Sequence, residues 1–215
     1  MEETLQYIKA DFHVHTSFSR RVTASPEEMY AAAREKGLEK IAVTDHNTIK
    51  GALRLAENDP DFIIVGEEIT WDDRGEIIGL FMKEAIPEGK SAAYTLDALH
   101  EQNAFVFIPH PFAPFHFFCP PGNILKMADW IDAVEIRNGR NFHILNAGAD
   151  AFCSLSRIRG ICGSDAHLQK NVGRAGMLLP DFSTADELRE SIKKARPFGS
   201  GQSLLSSLKL LKKVF

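Results

Sequence analysis

Short apolar, β-type runs at residues 7–13, 40–44, 62–67, 77–82, 105–109, 133–136 and 160–163 alternate along the chain with helical patterns. The helical stretches lie at about 26–36, 50–58, 93–103, 123–129, 141–155 and 184–195. Such interleaving predicts a parallel, helix-covered sheet, open or closed into a barrel. The first helix is well bounded. Ser25, Pro26 and Glu28 supply the N-cap, N1 and N3 residues of a capping box, and Gly37 stops it. Thr184 and Glu187 open the last of these helices in the same way. A length of 215 residues suits one domain. Residues 203–215, with Leu204, Leu205, Leu208 and Leu211, read as a terminal amphipathic helix that docks on the body.

Metal-type side chains follow the apolar runs. His13 and His15 follow the first, Asp45 and His46 the second, Glu67 and Glu68 the third, and His110 the fifth. Glu135 ends the sixth, and Asp165 and His167 follow the seventh. Residues spaced i, i+2 on a strand share a face. In parallel α/β architectures the carboxyl ends of the strands form one rim, where active sites are built. His100 lies inside a helical pattern and is expected at the surface. His116, in a Phe- and Pro-rich loop, and His143, in a helix, are secondary candidates.

Composition narrows the partners. With 25 basic and 29 acidic residues the formal charge is −4, which argues against a general polyanion-binding face and predicts no long duplex nucleic acid as substrate. The N-terminus lacks the pattern of a signal peptide, and no apolar run approaches the ~20 residues of a membrane span, so no membrane partner is expected. Cys119, Cys153 and Cys162 are odd in number and lack C-x-x-C spacing. They read as buried thiols in a reducing cytoplasm.

The strings D-F-H-V-H at 11–15, T-D-H at 44–46, G-E-E-I at 66–69, I-P-H-P at 108–111, V-E-I-R-N at 134–138 and G-S-D-A-H at 163–167 occur in a specific order. Together they resemble the PHP family, named for its polymerase and histidinol phosphatase members, from about residue 11 to 201. The resemblance implies a single PHP-like domain over 1–215, folded as a distorted (β/α)7 barrel with its active site at the carboxyl ends of the strands. It implies two to three divalent transition metals (Mn, Zn or Fe). His13, His15, Glu68 and Asp165 would surround the first, Glu68 would bridge to a second held by His110, and His46 and His167 would belong to a third. Glu68 is chosen over Glu67 because it immediately precedes the apolar residue of G-x-E-[IL]. Glu67 would then point to a salt bridge or solvent.

Two departures stand out. Arg20 occupies a position where relatives carry His or Asp, and Arg offers no lone pair to a metal. It leaves a two-metal site open, and either sets a donor fork for phosphate or is a surface residue of a loop. Glu76 stands where relatives carry His and can still ligate. Asp45 adjoins a ligand and is expected to orient it by hydrogen bonding. Asp45 and Arg20 are thus the candidate catalytic residues, and Arg20, Arg137 and Arg140 the candidate phosphate holders.

By this resemblance the chain is a metal-dependent phosphoesterase that hydrolyses a small phosphate ester with metal-activated water. The substrate is a nucleotide, short oligonucleotide, or sugar or amino-alcohol phosphate. The Phe-rich stretch 112–118 could stack a base or pack as loop. The alternatives are a degenerate, non-catalytic PHP scaffold, suggested by positions 20 and 76, and an amidohydrolase-like metal hydrolase, which also opens with H-x-H. Retention of seven His and acidic ligands argues against the scaffold, because buried clusters of this kind are costly without a metal.

Overall fold

The computed structural model describes residues 6–72, 75–113 and 119–201. The expected terminal helix at 203–215 lies outside these residues, as does His116. In chain order the elements are β1 (Tyr7–Val14), α1 (Pro26–Glu35), β2 (Lys40–Val43), α2 (Lys50–Ala56), β3 (Ile63–Thr70), β4 (Glu76–Leu80), α3 (Ala92–Glu101) and β5 (Phe105–Ile108). They continue as α4 (Pro121–Lys126), β6 (Ala133–Asn138), α5 (His143–Ser156), β7 (Gly160–Gly163), β8 (Ala175–Pro180), α6 (Ala185–Ser191) and β9 (Arg196–Gly199). Ser25 and Glu28 close the capping box of α1, Gly37 follows in the left-handed region (φ 68°), and Thr184 caps α6 through Glu187 N.

The strands form one sheet in the order β7-β6-β5-β4-β3-β2-β1-β8-β9. Strands β1 to β3 pair in parallel, as do β5 to β7. The sheet curls until its ends meet: Val14 bridges Ala166, and His15 N donates to Ala166 O at 3.0 Å. Strands β1 to β7 are therefore a nearly closed barrel of mixed α/β type, as the strand–helix alternation predicts.

Two features depart from the parallel expectation. Strand β4 runs antiparallel to both β3 and β5, because no helix separates it from β3. Its first residue, Glu76, pairs with Thr70 near the carboxyl end of β3 and so reaches the active rim. The second is an antiparallel extension, β8 on β1 and β9 on β8.

Side-chain alternation divides the core into layers. Ala10, Phe12, Ile64, Ile78, Leu80, Phe105 and Phe107 pack in one cluster inside the barrel. Their alternates, among them Ile69, Ile77, Val106, Ile108 and Val134, pack in the outer layer with α3 residues Leu96 and Leu99. Fully burying each of the Phe rings stabilises the fold by about 1.5–3 kcal/mol. Val14 packs in a third cluster with α1 residues Met29 and Ala33. The pairing register of β1 shifts between Asp11 and Val14. That bulge changes the phase of the alternation, so His13 and His15 follow Phe12 onto the inner side while Val14 faces α1. All three cysteines are buried. Among the described residues, no helix is long and apolar enough to cross a membrane.

Candidate metal centre

Six strand ends deliver side chains to one buried cluster. His13 and His15 come from β1, His46 from the end of β2, Glu68 from β3, Glu76 from β4, His110 from beyond β5, and Asp165 and His167 from beyond β7. His13, His15 and Glu68 are fully buried, Asp165 and His110 nearly so. Two of these positions have left-handed backbones, His110 at φ 27° and Asp165 at φ 50°. The turn at His110 is needed because alternation after Phe105 and Phe107 would bring Pro109 inward instead. Gly163 faces the His13 Cβ, and a side chain there would collide with it.

The donor atoms are spaced like the corners of a coordination shell. His13 Nε2 lies 3.0 Å from His15 Nε2, 3.5 Å from Glu68 Oε2 and 3.9 Å from Asp165 Oδ1. His15 Nε2 lies 3.3 Å from Glu68 Oε2 and 3.4 Å from Asp165 Oδ1. A tetrahedral shell with metal–ligand bonds of about 2.0–2.1 Å has edges of roughly 3.3 Å. On the other side, His110 Nε2 lies 3.0 Å from Glu68 Oε1 and 3.6 Å from Glu76 Oε2. Glu68 thus turns one oxygen to each of two donor groups. His46 Nδ1 also approaches Glu68 Oε2, at 3.1 Å.

The fit to a cation is also electrostatic. Glu68 Oε2 and Glu76 Oε2 are buried, and among the described residues neither accepts a hydrogen bond. Burial opposes the charge of Glu68 and Asp165, yet the surrounding imidazoles hold both carboxyls well below the usual range. Burial and the neighbouring Glu68 instead push Glu76 up to about 8. Burial works against the His13 imidazolium, but Glu68, Glu135 and Asp165 outweigh it and raise its pKa well above the ordinary value. His110 is raised to about 9, with Glu68 overcoming burial, while burial and His15 push His167 down to about 3. This mixed His and carboxylate set fits divalent transition metals, which imidazole and carboxylate together suit.

Behind the donors lies a second ring of polar groups. Glu135 Oε1 accepts from His13 Nδ1 at 3.1 Å, which turns His13 Nε2 toward the cluster. Its Oε2 accepts from His110 N at 2.8 Å and Asn138 Nδ2 at 2.9 Å. Asn138 Nδ2 also reaches Asp165 Oδ2 at 3.2 Å. One buried carboxylate therefore holds three of the donors in place. Glu135→Ala is expected to weaken metal affinity by roughly 10- to 100-fold, measured by competition with a chelator, whereas unchanged affinity would make Glu135 a passive core residue.

Asp45 acts at one remove from the cluster. It accepts from Thr16 N (2.7 Å), Thr16 Oγ1 (2.6 Å) and Ser19 Oγ (2.6 Å). Ser19 Oγ in turn meets His15 Nδ1 at 3.1 Å and His46 N at 3.0 Å. Asp45 is a positioning residue with its oxygens spent, and it serves His15 as much as its neighbour His46.

Of the three candidate phosphate-holding arginines, only Arg140 reaches the cluster, with Nη1 3.2 Å from Asp165 Oδ1. Arg20 is exposed in the loop after β1 and makes no hydrogen bond or ion pair among the described residues. Arg137 would share the inner face with Glu135 by simple alternation. A register shift in β6 between the two turns it outward to Gly199 O at 2.8 Å. Glu67 corrects another expectation. It finds neither salt bridge nor solvent but is buried, and it accepts from Ile86 N at 2.8 Å. His100 and His143 are both exposed. Sequence reasoning missed the roles of Glu135, Asn138, Thr16 and Ser19; only Glu135 gave a signal, as an acid at a strand end.

Comparison with known proteins agrees with this geometry. Residues 11–118 match the PHP domain and residues 143–197 the PHP-associated region. An uncharacterized protein of Methanocaldococcus jannaschii is 31% identical over 180 residues, covering 78% of this chain and 69% of that protein. A two-domain protein of Bacteroides vulgatus containing a predicted PHP-like metal-dependent phosphoesterase superposes with a TM-score of 0.73 at 20% identity. That match covers 91% of this chain and 66% of the other, so this chain spans just under two thirds of that protein. The lesion-specific endonuclease Q of Pyrococcus furiosus superposes with a TM-score of 0.67 at 17% identity, over 89% of this chain and 58% of the other.

An endonuclease Q of this fold is also seen with a 27-mer duplex carrying an abasic lesion at its active site. This overturns the exclusion of duplex nucleic acid drawn from net charge. A formal charge of −4 averages over the whole surface and says nothing of the rim. With the PHP domain matched over half its length and every metal-type strand end gathered at one rim, the chain belongs to the PHP domain family.

Proposed function

We propose that this protein is a metal-dependent phosphoric ester hydrolase. His13, His15, Glu68 and Asp165 would hold one divalent cation, and Glu68, Glu76 and His110 a second, with His46 and His167 at the outer edge. A pair of such cations supplies neutralising charge for phosphoryl oxygens and lowers the pKa of water toward neutrality. The chain's own residues supply the rest. Glu135 and the Asp45–Ser19 pair fix which nitrogen of His13 and of His15 faces the centre. Burial of the donors keeps bulk water from screening their charge. Arg140 sets N–H donors beside Asp165, where a phosphate oxygen can be held by a charge-assisted bond.

The observation that carries this reading is Glu68, whose two oxygens face separate imidazole groups, as a carboxylate shared between two cations must. The substrate class favoured is a small phosphate ester. The test is turnover of a panel of phosphomonoesters and short phosphodiesters by protein reloaded with Mn²⁺, Zn²⁺ or Fe²⁺, with amide and lactone substrates alongside. Activity on phosphate esters that a chelator abolishes and metal restores is the expected result. Turnover of amides or lactones alone would reassign the reaction, and inertness of fully metallated protein toward all three and toward a lesion-bearing duplex would favour the scaffold.

A further inference from the structure

A metal ion and an N–H donor compete for the same lone pair on an imidazole nitrogen. At the outer edge of the cluster that competition is decided at His167. Its Nδ1 lies 3.2 Å from the Asp165 backbone carbonyl and 3.3 Å from Asp165 Oδ1. Arg140 Nη1 lies 3.2 Å from the same Nδ1 and 3.1 Å from Nε2, so one guanidinium nitrogen sits against both nitrogens of the ring. The same Nη1 reaches Asp165 Oδ1 at 3.2 Å, which anchors the positive charge there.

The other nitrogens nearby leave little to build a third metal position. His15, His46 and His167 do place donor atoms within 4.8 Å of one another. However, His15 Nδ1 is engaged with Ser19, and its Nε2 already faces Glu68 and Asp165. His46 Nδ1 leans toward Glu68 Oε2. Arg20, on the neighbouring loop, is exposed and brings no donor. A fixed guanidinium charge next to His167 also repels a further cation.

We propose that Arg140, rather than a third metal ion, is the outermost cation of this site. Its guanidinium sits against both nitrogens of His167, limits the centre to two metal ions, and presents its remaining N–H groups, on Nη2 and Nε, to a phosphoryl group. Backbone bonds from Arg140 N and Asn141 N to Asn138 Oδ1, at 2.8 and 3.2 Å, fix the loop that delivers it. The inference rests on the two-metal reading above, and it removes His167 from the set of metal ligands.

Metal counting and phosphate binding test it together. Native protein stripped with a chelator, reloaded with excess Mn²⁺ and desalted is expected to keep two equivalents by elemental analysis. His167→Ala is expected to keep the same two. Inorganic phosphate, titrated calorimetrically into the loaded protein, is expected to bind roughly 10- to 150-fold more weakly after Arg140→Ala, the loss of one charge-assisted contact. The double variant is expected to bind phosphate no more weakly than Arg140→Ala alone, since His167 acts through Arg140. Three equivalents in the native protein, loss of one in His167→Ala, or unchanged phosphate affinity in Arg140→Ala overturns the proposal. Fewer than two equivalents in the native protein instead overturns the two-metal reading beneath it.

Discussion

Glu68→Ala is expected to strip the protein of both metal equivalents and reduce turnover to the level of chelator-treated enzyme. Its Oε2 approaches His13, His15 and His46 at 3.5, 3.3 and 3.1 Å, and its Oε1 approaches His110 at 3.0 Å. Removing it therefore takes a ligand from both centres and leaves a group of buried imidazoles with less negative charge to hold them together. Loss of a residue that merely supports a ligand costs roughly 10- to 100-fold in affinity, so loss of a shared ligand should exceed that. Glu67→Gln is the internal control. It lies one residue away on the opposite face of β3, where its carboxyl accepts from Ile86 N, and both equivalents should survive its replacement. Elemental analysis of the two variants decides the matter. Retention of two equivalents by Glu68→Ala would remove the bridging role, and loss of metal from Glu67→Gln would mean that the face assignment is wrong.

The contrast between Glu67 and Glu68 shows what was legible in the sequence. Strand β3 pairs without a register shift, so Ile64, Gly66 and Glu68 share the inner face and Glu67 must look outward. His110, Asp165 and the two histidines of β1 follow apolar runs that end at one rim, and proximity to a strand end is a local signal. Features that depend on a break in local order were not legible. The bulge in β1 moves His13 and His15 into phase with Phe12, and the register shift in β6 turns Arg137 away from the centre. Neither bulge has a sequence marker such as Pro. Strand β4 runs antiparallel because no helix lies between it and β3, and the sequence showed there only an apolar run preceded by Glu76 as a candidate ligand. Strand β8 ends in Pro180 and β9 contains Pro197, and their place is set by the edge of β1 on which β8 pairs. The residues behind the donors were hidden for another reason. Glu135 and His13 are 122 positions apart and Asp45 and Ser19 are 26 apart, and only the closed barrel brings such partners together.

Metal uptake should be coupled to proton release, and its affinity should climb steeply with pH. Metal ligands must be deprotonated to bind. Without a cation, His110 titrates at about 9 because Glu68 overrides burial, and Glu76 at about 8 because burial and Glu68 both disfavour its charge. Both hold protons at neutral pH. Glu68 and Asp165 lie well below the usual carboxyl range, and His46 and His167 below the usual imidazole value. These four are already deprotonated and add no dependence above pH 7. Each displaced proton contributes roughly tenfold in affinity per pH unit, so His110 and Glu76 alone should give a rise approaching 100-fold per unit near pH 7, and His13 and His15, which the surrounding carboxylates also raise, should steepen it further. Calorimetric titrations with Mn²⁺ in buffers of different ionisation enthalpy would count the protons, and affinity independent of pH between 7 and 9 would defeat the scheme. Stability should diverge in the same window. Glu76 binds its proton more tightly in the folded chain than in the unfolded one, so it stabilises the folded state fully only below the ordinary carboxyl pKa. As the pH passes that value toward about 8, the metal-free protein loses this contribution, because a buried carboxyl must either keep its proton against the solvent or ionise beside Glu68. The loaded protein has a cation to balance the same charge. Its melting temperature should therefore separate from that of the metal-free form progressively as the pH rises from 5 to 8.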